Sequence, residues 1–156
     1  MRGNDRVIAA LNQALKSELT AINQYFVHAE MAENWGYKRL SGLIKKDSIQ
    51  EMKHAEEIIE RILFLDGEPN MSELFPIRVG RNVKQQIEND LALEIEAVAN
   101  YNASVALCRE VGDNGTRELF EKLLADEEGH VDFLESLLFQ IQEMGYERFL
   151  SQQIKD

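Results

Sequence analysis

Both prolines of the chain, Pro69 and Pro76, fall within one short stretch near its middle. Proline lacks a backbone donor and clashes with the preceding turn, so it interrupts helices and central strands alike. Its confinement leaves two long unbroken segments, a pattern foreign to a turn-rich all-β protein. Gly36 in the first segment and Gly112 to Gly115 in the second mark a turn within each.

Apolar spacing then predicts the elements. Asn4 and Asp5 cap a first helix whose apolar face runs through Ile8, Leu11, Leu15, Ile22 and Tyr25 and which ends at Trp35-Gly36. A second, from about Lys38 to Asp66, carries Leu40, Leu43, Ile44, Ile58, Ile62 and Leu65, with Gly67 after it. Residues 67–80 hold both prolines and no period, and read as a long connection. A third helix from about Asn82 to Val111 uses Ile87, Leu91, Val98, Tyr101 and Val105. Gly112 and Gly115 flank a tight turn, and Thr116, Leu119, Leu123, Phe133, Leu137 and Ile141 make the fourth. Gly145 sets off a short last segment, Tyr146 to about Ile154.

Helices of about 30 residues are roughly 40–45 Å long at ~1.5 Å per residue. Short turns make the first and second helices, and the third and fourth, antiparallel neighbours. The middle connection, stretched to roughly 45 Å at ~3.3 Å per residue, just crosses the full length of such a bundle. The expectation is an all-α, single-domain chain over 1–156: a four-helix bundle with one long crossover connection and a short fifth C-terminal helix.

Charge and cysteine usage narrow the function. A net charge of −11 makes the chain a poor partner for nucleic acid or an anionic membrane and suits a protein that attracts cations. A lone cysteine, Cys108, forms no internal disulfide and reads, among Val105, Leu107 and Val111, as a small buried hydrophobe. Residues 1–11 carry Asp5 and Arg6 and lack the apolar run of a secretion signal, and Glu60 and Arg61 cut the Ile58–Leu65 patch, so a cytoplasmic location is expected.

The chemistry lies in a repeat. Two of the three histidines follow a glutamate at helical i−3 spacing, Glu51 with His54 and Glu127 with His130, and these pairs are 76 positions apart. Glu18 and Glu94, on the first and third helices, are separated by the same 76 positions. One Glu-x-x-His pair on a helix is ordinarily a solvated pair; these occupy the core face. Glu18 lies in register with Leu11, Leu15, Ile22 and Tyr25, Glu51 with Ile44 and Ile58, and Glu94 with Ile87 and Tyr101. Buried carboxylates cost several kcal/mol each unless neutralised. Their depths from the shared turns match, so four acids and two imidazoles converge. Two divalent ions balance the charge, and mixed carboxylate and imidazole ligands suit iron or manganese. His28 falls outside the repeat, with Tyr25 at i−3 and Ser104 at the offset of 76, and reads as a surface or interface side chain.

One glutamate from each of two helices plus Glu-x-x-His from each of the others is the di-iron carboxylate arrangement of ferritin-like bundles. Within that superfamily the chain resembles the bacterioferritins along essentially its whole length, through MRGNDRVIAALNQAL, ELTAINQYFVHA, NWGY, DSIQEMKHAE, RILFLDGEPN and LLADEEGHVDFLE. The resemblance implies a ferroxidase in which Glu18, Glu51, His54, Glu94, Glu127 and His130 hold two iron ions per subunit, Glu51 and Glu127 bridging. It implies Met52 as an axial ligand to a haem b shared between two subunits, and Tyr25 beside the site as a hydrogen-bond or electron donor. Oxidised iron would be stored inside a shell of twenty-four subunits built from haem-sharing dimers, with a small ferredoxin as electron donor for release. Asp90 and Asp126 are candidates to orient the imidazoles.

The chain departs from the family pattern in places. Lys46 and Gln50 stand where some members carry the histidine and aspartate of an inner-surface iron site, which argues against that site here. Phe133 stands where some relatives carry a tryptophan and offers no indole as an electron relay. Arg148 and Ser151 differ from an amide-rich pore pattern. Competing readings are a haem-free ferritin, a rubrerythrin-like peroxide-reducing protein (disfavoured because no paired cysteines exist) and a structural four-helix bundle without metal.

Overall fold

A computed structural model describes residues 1–155. Helix α1 spans Asp5–Asn34, α2 Lys38–Phe64, α3 Val83–Val111, α4 Asn114–Met144 and α5 Tyr146–Ser151, with no strand among the described residues. The all-α four-helix architecture with a long crossover and a short C-terminal helix is the one expected. Among the described residues no helix is long and apolar enough to cross a membrane.

Polar side chains set where the helices begin. The Asn4 carboxamide accepts from Arg6 N at 2.8 Å, and the Asn82 side chain accepts from Gln85 N. The fourth helix starts earlier than its apolar pattern indicates, because the Asp113 carboxylate caps it by accepting from Thr116 N at 2.9 Å and Thr116 Oγ1 at 2.7 Å. Gly115 therefore lies inside the first turn of α4. A side chain there would strike the Arg61 guanidinium, whose Nη2 is 2.6 Å from an ideal Cβ. At the end of α2 the left-handed residue is Asp66, with φ 59°, and not Gly67. Gly67 meets a space limit instead, since a Cβ would come within 2.8 Å of Ile8 Cγ2.

The helices pair as two antiparallel hairpins, α1 with α2 and α3 with α4, joined face to face through α1 and α3. Two apolar clusters fill the bundle. One gathers Leu11, Leu15, Ile58, Ile62, Tyr101, Phe120 and Leu123; the other gathers Leu40, Ile44, Ile87, Leu93, Leu134, Leu137 and Phe149. Every long helix passes from one cluster to the other, and the residues at each crossing are Glu18, Glu51 with His54, Glu94, and Glu127 with His130. Cys108 is buried in the first cluster, and burial pushes its thiol up to about 11.

The crossover from 65 to 82 is laid along α1 by a ladder at every fourth residue. Asn12 Oδ1 accepts from Asn70 N at 2.8 Å, Lys16 Nζ sits 4.3 Å above the Phe75 ring, and Thr20 Oγ1 accepts from Phe75 N at 2.9 Å. Gln24 Oε1 then accepts from Arg78 N at 3.1 Å, and His28 Nε2 accepts from Gly80 N at 2.9 Å. His28 is thus fully buried, which corrects its reading as a surface or interface side chain. Its Nδ1 lies 2.9 Å from Asp90 Oδ1, which also accepts from Gln24 Nε2 at 2.8 Å. Asp90 consequently orients His28 and not an imidazole of the Glu-x-x-His pairs.

Replacing His28 with Ala leaves the Gly80 amide without its acceptor and Asp90 with Gln24 alone. Each buried group that loses its partner costs about 1–3 kcal/mol, so a destabilisation of roughly 2–5 kcal/mol is expected in chemical denaturation. Hydrogen exchange at the Gly80 amide should quicken with it; an unchanged midpoint and exchange rate would remove the ladder from the energetics of the fold.

Candidate metal centre

Glu18, Glu51, Glu94 and Glu127 are each 1% exposed, and His54 and His130 are 3% and 8% exposed. They form two overlapping groups. Glu18, Glu51, His54 and Glu127 bring one donor atom each within 4.8 Å of one another, and Glu51, Glu94, Glu127 and His130 do the same. Glu51 and Glu127 are common to both.

The geometry is close to twofold. His54 Nδ1 stands 2.9 Å from Glu127 Oε1, 3.6 Å from Glu18 Oε2 and 3.7 Å from Glu51 Oε1. His130 Nδ1 stands 3.0 Å from Glu51 Oε1, 3.6 Å from Glu127 Oε2 and 3.7 Å from Glu94 Oε1. These approaches lack hydrogen-bond angles. Glu18 Oε2, Glu51 Oε1, His54 Nδ1, Glu94 Oε2, Glu127 Oε1 and His130 Nδ1 are all buried without a hydrogen-bond partner. One orphaned atom on each of six residues, all aimed at a shared interior, is the donor set that a pair of cations fits.

The sequence as a whole points to the same family. A family described as Ferritin, ferritin-like domain, matches residues 8–144. A bacterioferritin of Mycolicibacterium paratuberculosis is 45% identical over 152 residues, covering 97% of this chain and 96% of that protein. Bacterioferritins of Brucella melitensis and Rhodobacter capsulatus are each 46% identical over 149 residues, covering 96% of this chain and 92% of theirs. The chain belongs to the bacterioferritins.

In this bacterioferritin the repeat of 76 positions extends outward from the six residues. Tyr25 donates its hydroxyl to Glu94 Oε1, and Tyr101, its counterpart at that offset, donates to Glu18 Oε1. Each phenol crosses from one hairpin to a glutamate of the other. Tyr101 was read from the sequence only as an apolar core position; applying the offset to Tyr25 would have found it. The imidazoles are backed in the same paired way. His54 Nε2 lies 2.9 Å from Asp126 Oδ2, as expected of Asp126, and His130 Nε2 lies 2.8 Å from Gln50 Oε1. Gln50, a weak ligand by residue type, occupies the position 76 residues before Asp126.

Met52 lies apart from this interior. It is 48% exposed on the outer face of α2, with exposed Ile49 beside it, exposed Phe26 on α1, and half-buried Leu19, Ile22 and Ile59 at helical spacing. Its exposed thioether offers a soft donor on the outside of the bundle, away from the six buried residues.

The crowding of acids shows in their protonation. Burial, then the charges of Glu18, Glu94 and Glu127, push Glu51 well above the usual carboxylate range; burial and Glu127 do the same to Glu94. Burial also raises Glu127, but Glu94 and the two imidazoles outweigh it and hold this carboxyl well below that range. For the histidines burial favours the neutral ring, yet the facing carboxylates push His54 up to about 10 and His130 up to about 11. A raised histidine contributes stability that is complete below its unfolded value, about 6.5, and is lost as pH rises through the folded one. The raised Glu51 and Glu94 act with the same sign, starting near their unfolded value of about 4.3. Chelator-treated protein is therefore expected to melt at progressively lower temperature as pH rises from 6.5 towards about 10. A melting temperature that climbs over that range would contradict this electrostatic picture.

Proposed function

We propose that the chain stores and detoxifies iron as a ferroxidase, oxidising Fe(II) to Fe(III) at a pair of iron positions inside each subunit. Membership of the bacterioferritins supports the storage role. The observation that carries the oxidation chemistry is the set of six orphaned buried atoms. In this reading Glu18 and His54 bind at one position, Glu94 and His130 at the other, and Glu51 and Glu127 bridge them. Two ferrous ions held together supply two electrons at once to dioxygen or peroxide, which limits one-electron radical release.

The chain's own groups prepare that step. Asp126 and Gln50 accept from the Nε2–H groups and so present Nδ1 of each ring as the donor. Tyr101 and Tyr25 hold one oxygen of Glu18 and one of Glu94, leaving the other oxygen of each free. In this reading Tyr25 would give one electron to the oxidant, dioxygen or peroxide, as its hydroxyl proton passes to Glu94, the acceptor of its hydrogen bond. The apolar clusters on either side exclude water along the bundle axis and strengthen every interaction between charges there.

Ferric product is stored inside a shell of twenty-four copies of this chain, each a single domain over 1–156. Met52 and its counterpart on a second copy would hold a shared haem b, a group that would supply one-electron chemistry for iron release, with a small ferredoxin as the donor. A cytoplasmic setting suits a chain whose lone cysteine is buried.

Glu18→Gln or His130→Ala is expected to lower the initial rate of Fe(II) oxidation at least tenfold, followed by absorbance of the ferric product, while size-exclusion chromatography shows the assembly intact. Wild-type rates in both variants would refute the assignment. Met52→Leu should abolish thioether-type haem bands without changing that initial rate; haem bands of undiminished intensity would move the haem elsewhere.

A further inference from the structure

We infer that the two iron positions differ in affinity, because Gln50 backs the imidazole of one and Asp126 the imidazole of the other. The inference rests on the metal-centre reading above and concerns how its two halves are tuned.

The repeat makes the comparison internally controlled. Glu18 matches Glu94, Glu51 matches Glu127, His54 matches His130 and Tyr25 matches Tyr101, so donor types and outer hydroxyls are the same on both sides and all six donors are buried, His130 slightly less than His54. The nearest approaches of the rings to carboxylate, 2.9 Å for His54 and 3.0 Å for His130, are equal within a tenth of an ångström. Among the hydrogen bonds to the rings, the twofold breaks in charge at one contact. Asp126 Oδ2 stands 2.9 Å from His54 Nε2, whereas the acceptor 2.8 Å from His130 Nε2 is a neutral amide oxygen. Asp47 is close enough to interact electrostatically with His130, but Gln50 supplies the hydrogen bond to the ring.

An acceptor's charge matters because metal binding draws electron density from the ring and leaves Nε2–H more acidic. A carboxylate answers that shift with a charge-assisted hydrogen bond; an amide answers it about half as strongly. Partners of this kind change metal affinity by roughly 10–100-fold when altered. The position built on Glu18, Glu51, His54 and Glu127 is accordingly the tight one. The position built on Glu51, Glu94, Glu127 and His130 is the weak one, filled second and emptied first.

The test uses cobalt(II) as a probe on the assembled protein, with anomalous diffraction from crystals grown at one equivalent per chain. Wild-type occupancy is expected to favour the His54 side on the order of tenfold. Gln50→Glu should bring the two occupancies together and tighten overall binding in calorimetry, and Asp126→Asn should bring them together while weakening it. Equal occupancy in the wild-type protein, or a ratio unmoved by Gln50→Glu and Asp126→Asn, overturns the inequivalence and leaves the metal centre standing. Absence of cobalt from both positions overturns the metal centre and this inference with it.

Discussion

Four carboxylates gathered at the midpoint of an apolar bundle are the constraint from which the remaining features of this fold follow. Leaving several charges close together in a medium of low dielectric is among the most expensive arrangements a protein interior can hold. The chain shares the burden in two ways. Burial and mutual repulsion raise Glu51 and Glu94 well above the usual carboxylate range, while contacts with neighbouring carboxyls and imidazoles overcome burial to hold Glu127 low and His54 and His130 high. The free oxygens and Nδ1 atoms are then kept facing one another without internal hydrogen bonds, a state a divalent cation relieves more completely than protons do. The apolar clusters are the other half of the same design. Leu15 and Ala21 bracket Glu18 on α1, and Leu93 and Ala97 bracket Glu94 on α3, so water reaches the acids along neither direction of the bundle.

The internal twofold explains how a chain of this length builds such a centre. Two hairpins with the same residue types at the same depth each deliver a lone glutamate and a Glu-x-x-His pair. Their face-to-face packing through α1 and α3 then produces two positions that share Glu51 and Glu127. Crossing phenols tie the hairpins at the point of greatest charge density: Tyr25 of the first reaches Glu94 of the second, and Tyr101 returns to Glu18. Any slip of one hairpin along the other would break both contacts at once, so the tyrosines hold register as well as protonation.

Much of this was readable from residue spacing. The helices, the antiparallel hairpins and the crossover follow from apolar periodicity and the position of two prolines, because these are local signals that packing did not override. The six acids and imidazoles stood out because charged residues on an apolar stripe contradict the pattern around them. What stayed hidden depends on contacts across the bundle. Gln50 and Tyr101 have ordinary local settings; only the hairpin packing brings one to His130 and the other to Glu18. Asp90 looked like a partner for the site imidazoles, being one turn from Glu94, but it points to the neighbouring face, where His28 and Gln24 claim it. His28 falls outside the repeat and so reads as a surface or interface side chain, but the crossover, which no local signal lays along α1, covers it. The cap at Asp113 and the left-handed Asp66 are details in which a side-chain hydrogen bond or a tolerated backbone angle took the role expected of glycine.

The crossover is also where the twofold must fail. Two hairpins joined by one chain segment cannot be equivalent, because a single helix receives that segment. Helix α1 does so with Asn12, Thr20, Gln24 and His28, four side chains that accept from backbone amides of residues 70–80. Their counterparts 76 positions on are Glu88, Glu96, Asn100 and Ser104, of which the first three are exposed and the last half-buried. The symmetric interior and the asymmetric exterior thus answer different demands on the same two helices. The inward faces of α1 and α3 are matched in the donor types they present to the two groups that share Glu51 and Glu127. The outward face of α1 is polar and buried because backbone amides lying on it need acceptors, whereas the same face of α3 has no such segment to satisfy. Gln50 is the exception that sits between these regimes, next to the matched interior yet different in charge from its mate Asp126. No connection of the chain requires that difference, so it is free to be used by the centre itself.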